Sequence, residues 1–414
     1  TRTGKTTSRA IPTVLAAPGA VLATSNKRDL VDGTRGVREA AGQVWVFDPQ
    51  GVATEPETWW WNPLSYVTSD VKARTLADHF ASGTREPGDK ADAFFEPSAK
   101  DLLAAYLLAA ALDNRPITDV YRWIADGRDR TPATVLAQRG YELMAAQVDA
   151  ELGAPDKQKQ GVYGSARKMI SCLTLRSVEP WVNANGPGDA RPQFSPEFFV
   201  RAGGSLYLLS KEGPGSAGPL VTALTVAVIE AAEEFAAVSP GGRLRTPLVV
   251  VLDEAANVCR YSELPAKYSH WGSRGVLPTT ILQSWSQGVD VWGESGMKKL
   301  WSAANVRVYG GGASEAGFLK DLSELIGDHD VMMGTTSTSS GGGGGSHTSY
   351  SGHLQRQRIL EPADLAALPP GRAVVMASGA RPVLVEPIPW WLGPRKAEVD
   401  ASLDRFDPGR RKQP

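Results

Sequence analysis

Cysteine and histidine are scarce in this chain. It has 2 cysteines, Cys172 and Cys259, and 5 histidines, and neither set falls at metal-ligand spacing. That argues against a disulfide framework and a structural zinc site, and it fits a reducing cytoplasm. Long apolar runs are missing too. The longest, Leu102 to Leu112, is eleven residues, against the roughly twenty that a membrane-spanning helix requires. Charge of one sign is also absent: 44 Lys and Arg face 45 Asp and Glu, for a net charge of −1. No global basic field therefore draws nucleic acid, and any such site must be a local patch. What is present is an ordinary globular composition, 42% hydrophobic and 21% charged over 414 residues, enough for a large core and two domains.

The most informative segment is the first, Thr1-Arg2-Thr3-Gly4-Lys5-Thr6-Thr7. Gly4, Lys5 and Thr6 match the end of the phosphate-loop pattern G-x-x-x-x-G-K-[ST]. The first glycine of the pattern would fall two residues before Thr1, so the chain is expected to begin inside its own nucleotide-binding loop. In such a loop, backbone N–H groups from Thr3 to Thr7 and the following helix N-terminus cradle ATP phosphates. Lys5 neutralises phosphate charge and the Thr6 hydroxyl ligates Mg²⁺. Alone, the half-motif reads equally well as the start of an exposed helix.

A second motif changes that balance. Leu248-Val249-Val250-Val251-Leu252 runs without interruption into Asp253 and Glu254. An unbroken Val/Leu run reads as a strand buried on both faces, as in a parallel sheet. Asp253 at its end suits a Mg²⁺ partner, and Glu254 suits a group that orients or deprotonates the attacking water.

Strand signals at Ala20 to Thr24 and Gln43 to Phe47 precede a helical stretch from about Ser69 to Arg176. Strands resume at Gly204 to Leu209 and continue through Thr279 to Gln283 and Val306 to Tyr309. The runs Arg372 to Met376 and Pro382 to Val385 are expected to finish the same sheet. Alternating strands and helices around a phosphate loop argue a three-layer α/β domain with a largely parallel central sheet. Pro12 is expected to bend or end the helix that follows the loop. The expected division is 1–68 and 186–394 for the nucleotide-binding domain, 69–185 for an inserted all-α domain, and 395–414 for a solvated charged tail. Thr335 to Ser351, TTSTSSGGGGGSHTSYS, reads as a mobile loop. In Trp59-Trp60-Trp61 adjacent rings point different ways, so at least one should face the surface or a second domain. Most of the 12 tryptophans are expected in packing rather than in base stacking.

The ordered motifs T-R-T-G-K-T-T, S-N-K-R-D-L, V-F-D-P-Q-G, W-N-P-L, L-V-V-V-L-D-E-A-A-N, I-L-Q-S-W-S-Q and N-V-R-V resemble the type IV secretion coupling proteins. These are the conjugative DNA-transfer ATPases of the TraG/TraD kind, and the resemblance runs from Thr1 to about Trp391. It implies a RecA-like P-loop NTPase core carrying an all-α domain, assembled as a homo-hexamer at the cytoplasmic face of the bacterial inner membrane through upstream helices. It implies ATP and Mg²⁺ as cofactors. DNA, chiefly single-stranded, relaxase or relaxosome proteins, and components of the secretion channel are the implied partners.

Residue by residue, the resemblance puts Lys5 and Thr6 on the phosphate and Mg²⁺ positions and Asp253 and Glu254 on the second ATPase motif. Gln283 matches the glutamine that senses the γ-phosphate, although a polar cap at a strand end would read the same. Arg274, in Gly272-Ser273-Arg274-Gly275, is either a trans-acting arginine finger or an arginine in a surface ion pair. Gln50 stands where the family commonly has lysine or serine. Two alternatives stay open: a double-stranded DNA translocase of the chromosome-partitioning type, and a non-hydrolysing docking module.

Overall fold

The computed structural model describes residues 4–84, 94–213, 215–340 and 346–410, without the side chains of 338–340 and 346–349. Thr3, one of the expected phosphate-loop residues, lies outside the described residues, as do Arg411 and Lys412 of the tail.

The loop residues open a π-helical turn, Thr6–Ala10, followed by α1 (Ile11–Ala16). The cause is Pro12. It has no N–H to donate and its ring crowds the carbonyl four residues back, and the Ile11 N–H bonds Thr6 O, five residues back. Pro12 thus widens the helix rather than ending it. Strand β1 (Val21–Ser25), helix α2 (Asp29–Arg38) and strand β2 (Val44–Phe47) come next.

Among the described residues seven helices then follow: α3 (Asp70–Thr84), α4 (Glu96–Leu112), α5 (Ile117–Asp126), α6 (Thr131–Gln138), α7 (Glu142–Leu152), α8 (Asp156–Met169) and α9 (Glu179–Val182). The long apolar run lies in α4 and is buried almost all round, as a helix without a polar face must be. Its Tyr106 hydroxyl meets that of Tyr163 on α8 at 3.0 Å.

The chain re-enters the sheet through α10 (Pro196–Ala202), β3 (Ser205–Leu209), α11 (Gly218–Ala237), β4 (Leu248–Leu252), α12 (Ala255–Val258), α13 (Leu264–Arg274) and β5 (Val276–Thr280). The five strands form one parallel sheet in the order β2-β3-β1-β4-β5, with Leu22 against both Leu206 and Val250. All of β1, β3 and β4 is buried, which is why these strands read as continuous rather than alternating apolar runs. Pro278 sits in β5, the edge strand, where a missing N–H is tolerated.

Helix α14 (Trp285–Ala303) leads to β6 (Val306–Tyr309), α15 (Ala316–Ile326), β7 (Asp328–Ser340), β8 (Ser346–Arg358), α16 (Pro362–Ala366), β9 (Ala373–Ala377) and β10 (Val383–Val385). Here the structure corrects two expectations. First, β6, β9 and β10 do not finish the parallel sheet but form an antiparallel one of their own, ordered β10-β9-β6. Short apolar runs marked them as strands, but which strand pairs with which is a non-local choice. Second, the described parts of 335–351, a segment read as a loop, supply the outer parts of β7 and β8. These pair antiparallel from Asp328↔Arg358 to Ser340↔Ser346. Its Thr and Tyr residues favour extended backbone, and the ladder already running through 328–334 and 352–358 extends into it.

The last helix, α17 (Lys396–Phe406), lies within the expected charged tail. Val399 and Leu403 join the core formed by Ile11, Val14 and Leu30, while Ser402 Oγ donates to Asp32 O and accepts from the Gly36 N–H. The chain divides into two compact units. One holds 5–283, 287–303 and 388–414, and so groups the expected all-α domain with the parallel sheet; the other holds 284–286 and 304–387 with the first residues. Among the described residues no helix is long and apolar enough to cross a membrane.

Candidate functional site

In a parallel sheet the C-terminal strand ends share one edge, and ligands bind there. Thr6 and Asp253 meet at that edge. Thr6 Oγ1 donates to Asp253 Oδ2 at 3.0 Å, and Thr24 Oγ1, from β1, holds the Asp253 carbonyl at 3.2 Å. Gly4 precedes them with φ of 74°, a left-handed conformation that a side chain would oppose.

The electrostatics of the pair follow from burial. Desolvation pushes the Asp253 carboxyl up to about 6 against the Thr6 hydrogen bond, and the charge of Glu254 adds to the rise. Desolvation likewise lowers the Lys5 ammonium, opposed by Glu254 and Asp253. A hydroxyl and a carboxylate 3.0 Å apart suit Mg²⁺, which keeps several water and phosphate oxygens and needs only one or two protein ligands. Among the described residues no cluster of three or more His, Cys, Asp or Glu could hold a metal by itself, so phosphate oxygens would have to complete the shell.

Glu254 is the strained member. It adopts φ 55°, ψ 43° as it caps α12, a left-handed conformation that costs a non-glycine residue about 1–3 kcal/mol. Its Oε2 is buried without a hydrogen-bond partner. The Ala255 N–H bonds Ile281 O and the Asn257 N–H bonds Glu254 O, which fixes the turn.

Lys5 Nζ donates to the Leu282 carbonyl at 2.8 Å. Gln283 therefore follows a residue that touches the phosphate-loop lysine. Gln283 lies three residues beyond β5 rather than on the strand, which ends at Thr280. Thr7 sits on the π-helical turn beside Thr6. The structure thus brings Lys5, Thr6, Asp253 and Glu254 together, with Gln283 alongside.

Arg274 stands apart. It precedes β5, at the N-terminal end of the strand, so five residues of extended chain, roughly 16 Å, separate it from the carboxylates. Its Nη1 reaches only Gly242 O, at 3.4 Å.

Sequence reasoning missed a second set at the same strand ends. Glu212 Oε1 accepts from Asn26 Nδ2 at 2.6 Å and from Asn257 Nδ2 at 3.0 Å, tying the ends of β1, β3 and β4. Both asparagines lay within the motifs S-N-K-R-D-L and L-D-E-A-A-N. Gln50 has an equally local job: its Oε1 accepts from Ser210 Oγ and from the N–H groups of Lys211 and Ala217, between β3 and α11. The Asp48 carboxylate before it accepts three backbone N–H groups, from Val52, Ala53 and Glu55. Of the three adjacent tryptophans, Trp59 and Trp61 are buried and Trp60 is half-exposed. Trp59 packs edge-on against Trp45 and Trp181, with ring centroids 5.3 and 5.7 Å apart.

Known families and solved structures match this chain. A family model described as "Type IV secretory system Conjugative DNA transfer" matches residues 1–186, and one described as "TraM recognition site of TraD and TraG" matches 247–370. A search of the curated proteins finds none that matches. Among solved structures, the unbound form of the bacterial conjugative coupling protein TrwB is 18% identical with a TM-score of 0.59, covering 91% of this chain and 85% of that one. TrwB in complex with the GTP analogue GDPNP is 17% identical with a TM-score of 0.58, covering 92% and 86%. TrwB with ADP and Mg²⁺ is 16% identical with a TM-score of 0.57, covering 94% and 89%. At these identities the likeness speaks to fold, which is the expected RecA-like P-loop core with a helical domain. With family models at both ends of that core, the chain belongs to the type IV secretion coupling proteins, the conjugative DNA-transfer family.

Proposed function

We propose that this chain is an ATPase that recruits and translocates a DNA strand, with its bound relaxase, to a type IV secretion channel. It would work as a hexamer at the cytoplasmic face of the inner membrane, held there by an upstream segment. The observation that carries the reading is the placement of Lys5 and the hydrogen-bonded pair Thr6–Asp253 beside Glu254, whose Oε2 is buried and unpartnered. The complexes of TrwB with GDPNP and with ADP and Mg²⁺ support nucleotide binding on this fold.

In this reading Lys5 leaves the Leu282 carbonyl for the β- and γ-phosphates, and loop N–H groups hold their oxygens. Thr6 Oγ1 and Asp253 Oδ2 would hold Mg²⁺, which when bound screens the phosphate charge. Glu254 orients the attacking water and takes its proton. Gln283, one residue from the carbonyl that Lys5 vacates, bonds the γ-phosphate or the water and reports its loss to the segment that follows. Arg274 serves a neighbouring subunit's nucleotide.

The test is ATP turnover by the protein, with and without single-stranded DNA, for wild type and Glu254→Gln. DNA-stimulated hydrolysis that falls at least about 100-fold in the variant, with ATP affinity retained, is the expected result. Undiminished hydrolysis in Glu254→Gln would refute its role. ATP binding with no turnover in any assembly state would favour the docking module, and a strong preference for duplex would favour the chromosome-partitioning type.

A further inference from the structure

Helix α12 is four residues long, a single turn, too short to hold itself together in water. It is also entered through the left-handed Glu254, a conformation that persists only where the surroundings impose it. Its position therefore has to be fixed from outside. On one side the backbone does this, with the Ala255 N–H on Ile281 O at 3.1 Å. On the other side a side chain does it: Asn257 Nδ2 donates to Glu212 Oε1 at 3.0 Å.

Glu212 lies three residues beyond β3, Asn26 one beyond β1 and Asn257 five beyond β4. These strands are neighbours in the order β3-β1-β4, so two strand spacings, roughly 10 Å, separate the outer pair. One carboxylate oxygen closes that gap by taking two amides, the second being Asn26 Nδ2 at 2.6 Å. Its own footing is fixed. Just before it, Ser210 Oγ and the Lys211 N–H each donate to Gln50 Oε1 at 2.9 Å. Just after it, Gly213 turns the chain away with φ of 92°. Among the described residues no cation pairs with Glu212. This carboxylate is committed to two neutral amides, and bonds to an ionised acceptor are stronger than those between neutral groups.

The hold reaches Glu254 through the backbone. The N–H groups of Asn257 and Val258 donate to Glu254 O at 2.8 and 2.9 Å, so the turn that Asn257 anchors is the turn that Glu254 begins. Glu254 Oε2 is buried without a partner, which leaves the aim of the carboxylate to the backbone that carries it.

We propose that Glu212 is a positioning residue for hydrolysis: with Asn26 and Asn257 it clasps α12 so that the Glu254 carboxylate stays aimed at the attacking water. The proposal rests on the ATPase reading above and names what holds that site's general base. The clasp shares no hydrogen bond with Lys5, Thr6 or Asp253, so nucleotide affinity does not depend on it.

The experiment compares wild type with Glu212→Ala, Glu212→Gln and the double variant Glu212→Ala/Glu254→Gln, each checked for an unchanged thermal midpoint. Glu212→Ala should lose at least about tenfold in kcat, with KM and ATP affinity those of wild type. Glu212→Gln keeps an acceptor oxygen and should recover most of that loss. In the Glu254→Gln background, Glu212→Ala should remove nothing further, because residues that act as a unit are not additive. A merely structural residue would lower that rate again. Wild-type turnover in Glu212→Ala, an equal loss in Glu212→Gln, or a further drop in the double variant would each overturn the proposal. So would weakened ATP or Mg²⁺ binding, which would make Glu212 a ligand rather than a support.

Amide hydrogen exchange separates this proposal from the ATPase reading, since it needs no turnover. The Asn257 and Val258 amides should exchange about three- to tenfold faster in Glu212→Ala and near the wild-type rate in Glu212→Gln. If wild type hydrolyses nothing yet shows this difference, the ATPase reading fails and the clasp stands. If all three proteins exchange alike, the clasp fails.

Discussion

At the scale of single residues, burial sets the chemistry. His79 on α3 is 2% exposed, and both its ring nitrogens lack hydrogen-bond partners. Its ring meets Tyr261 at 5.5 Å. Burial pushes its pKa down to about 4, opposed by Glu230 and Asp78. The unfolded chain takes up this proton near pH 6.5 and the folded protein only near 4, so the stabilising contribution is fully present above pH 6.5 and is lost as pH falls towards 4. The difference amounts to about 3 kcal/mol. Denaturant titrations at several pH values should show His79→Leu losing less stability than wild type over that interval, other titrating groups cancelling in the comparison. Gln50 gives a second expectation. Gln50→Ala leaves the Lys211 and Ala217 N–H groups without their acceptor, while Ser210 Oγ keeps the Lys211 carbonyl, and a thermal midpoint lowered by the equivalent of about 1–2 kcal/mol should follow. Gln50 looked like a departure from the family, and its local bonds explain why an amide works there. No local pattern forecast them, because its partners lie 160 or more residues along the chain.

At the scale of elements, α17 was concealed by its own composition. Charged residues fill nearly half of Lys396–Phe406, yet Val399, Leu403 and Phe406 recur at i, i+4 and i+7 and turn towards α1 and α2. The Arg35 guanidinium stacks 3.7 Å from the Phe406 ring centroid, and Arg395 Nη1 holds Leu15 O at the end of α1. Leu403→Ala should cost about 2–4 kcal/mol and should speed amide hydrogen exchange in α2 above all. Unchanged exchange there would mean that α17 is not a support for the helices behind the phosphate loop. The phosphate loop and the carboxylate strand were legible because each is a contiguous signature whose neighbours in sequence are its neighbours in space. The antiparallel sheet and the β7–β8 hairpin were not, since periodicity identifies strands but leaves partners and sheet membership open. A Ser/Gly-rich composition read as a mobile loop did not reveal strands whose pairing begins outside it.

At the scale of the whole molecule, the two units predict loss of two-state behaviour. Residues 304–387 have their own core of Tyr309, Leu319, Leu322, Leu365 and Met376. The 388–414 segment, by contrast, belongs with the parallel sheet. Calorimetry should resolve two transitions, and the van't Hoff enthalpy should fall short of the calorimetric one. One coincident transition by every probe would mean that the units unfold together. The left-handed backbone at Glu254 has a consequence for how such a sequence persists. Glycine there would relieve the strain, yet it would remove the carboxylate. Lineages selected for folding alone would drift towards glycine at 254, and those selected for transfer would keep the less comfortable residue. A degenerate copy of this chain, freed from its work, should therefore betray itself first at that position, before its core has begun to decay.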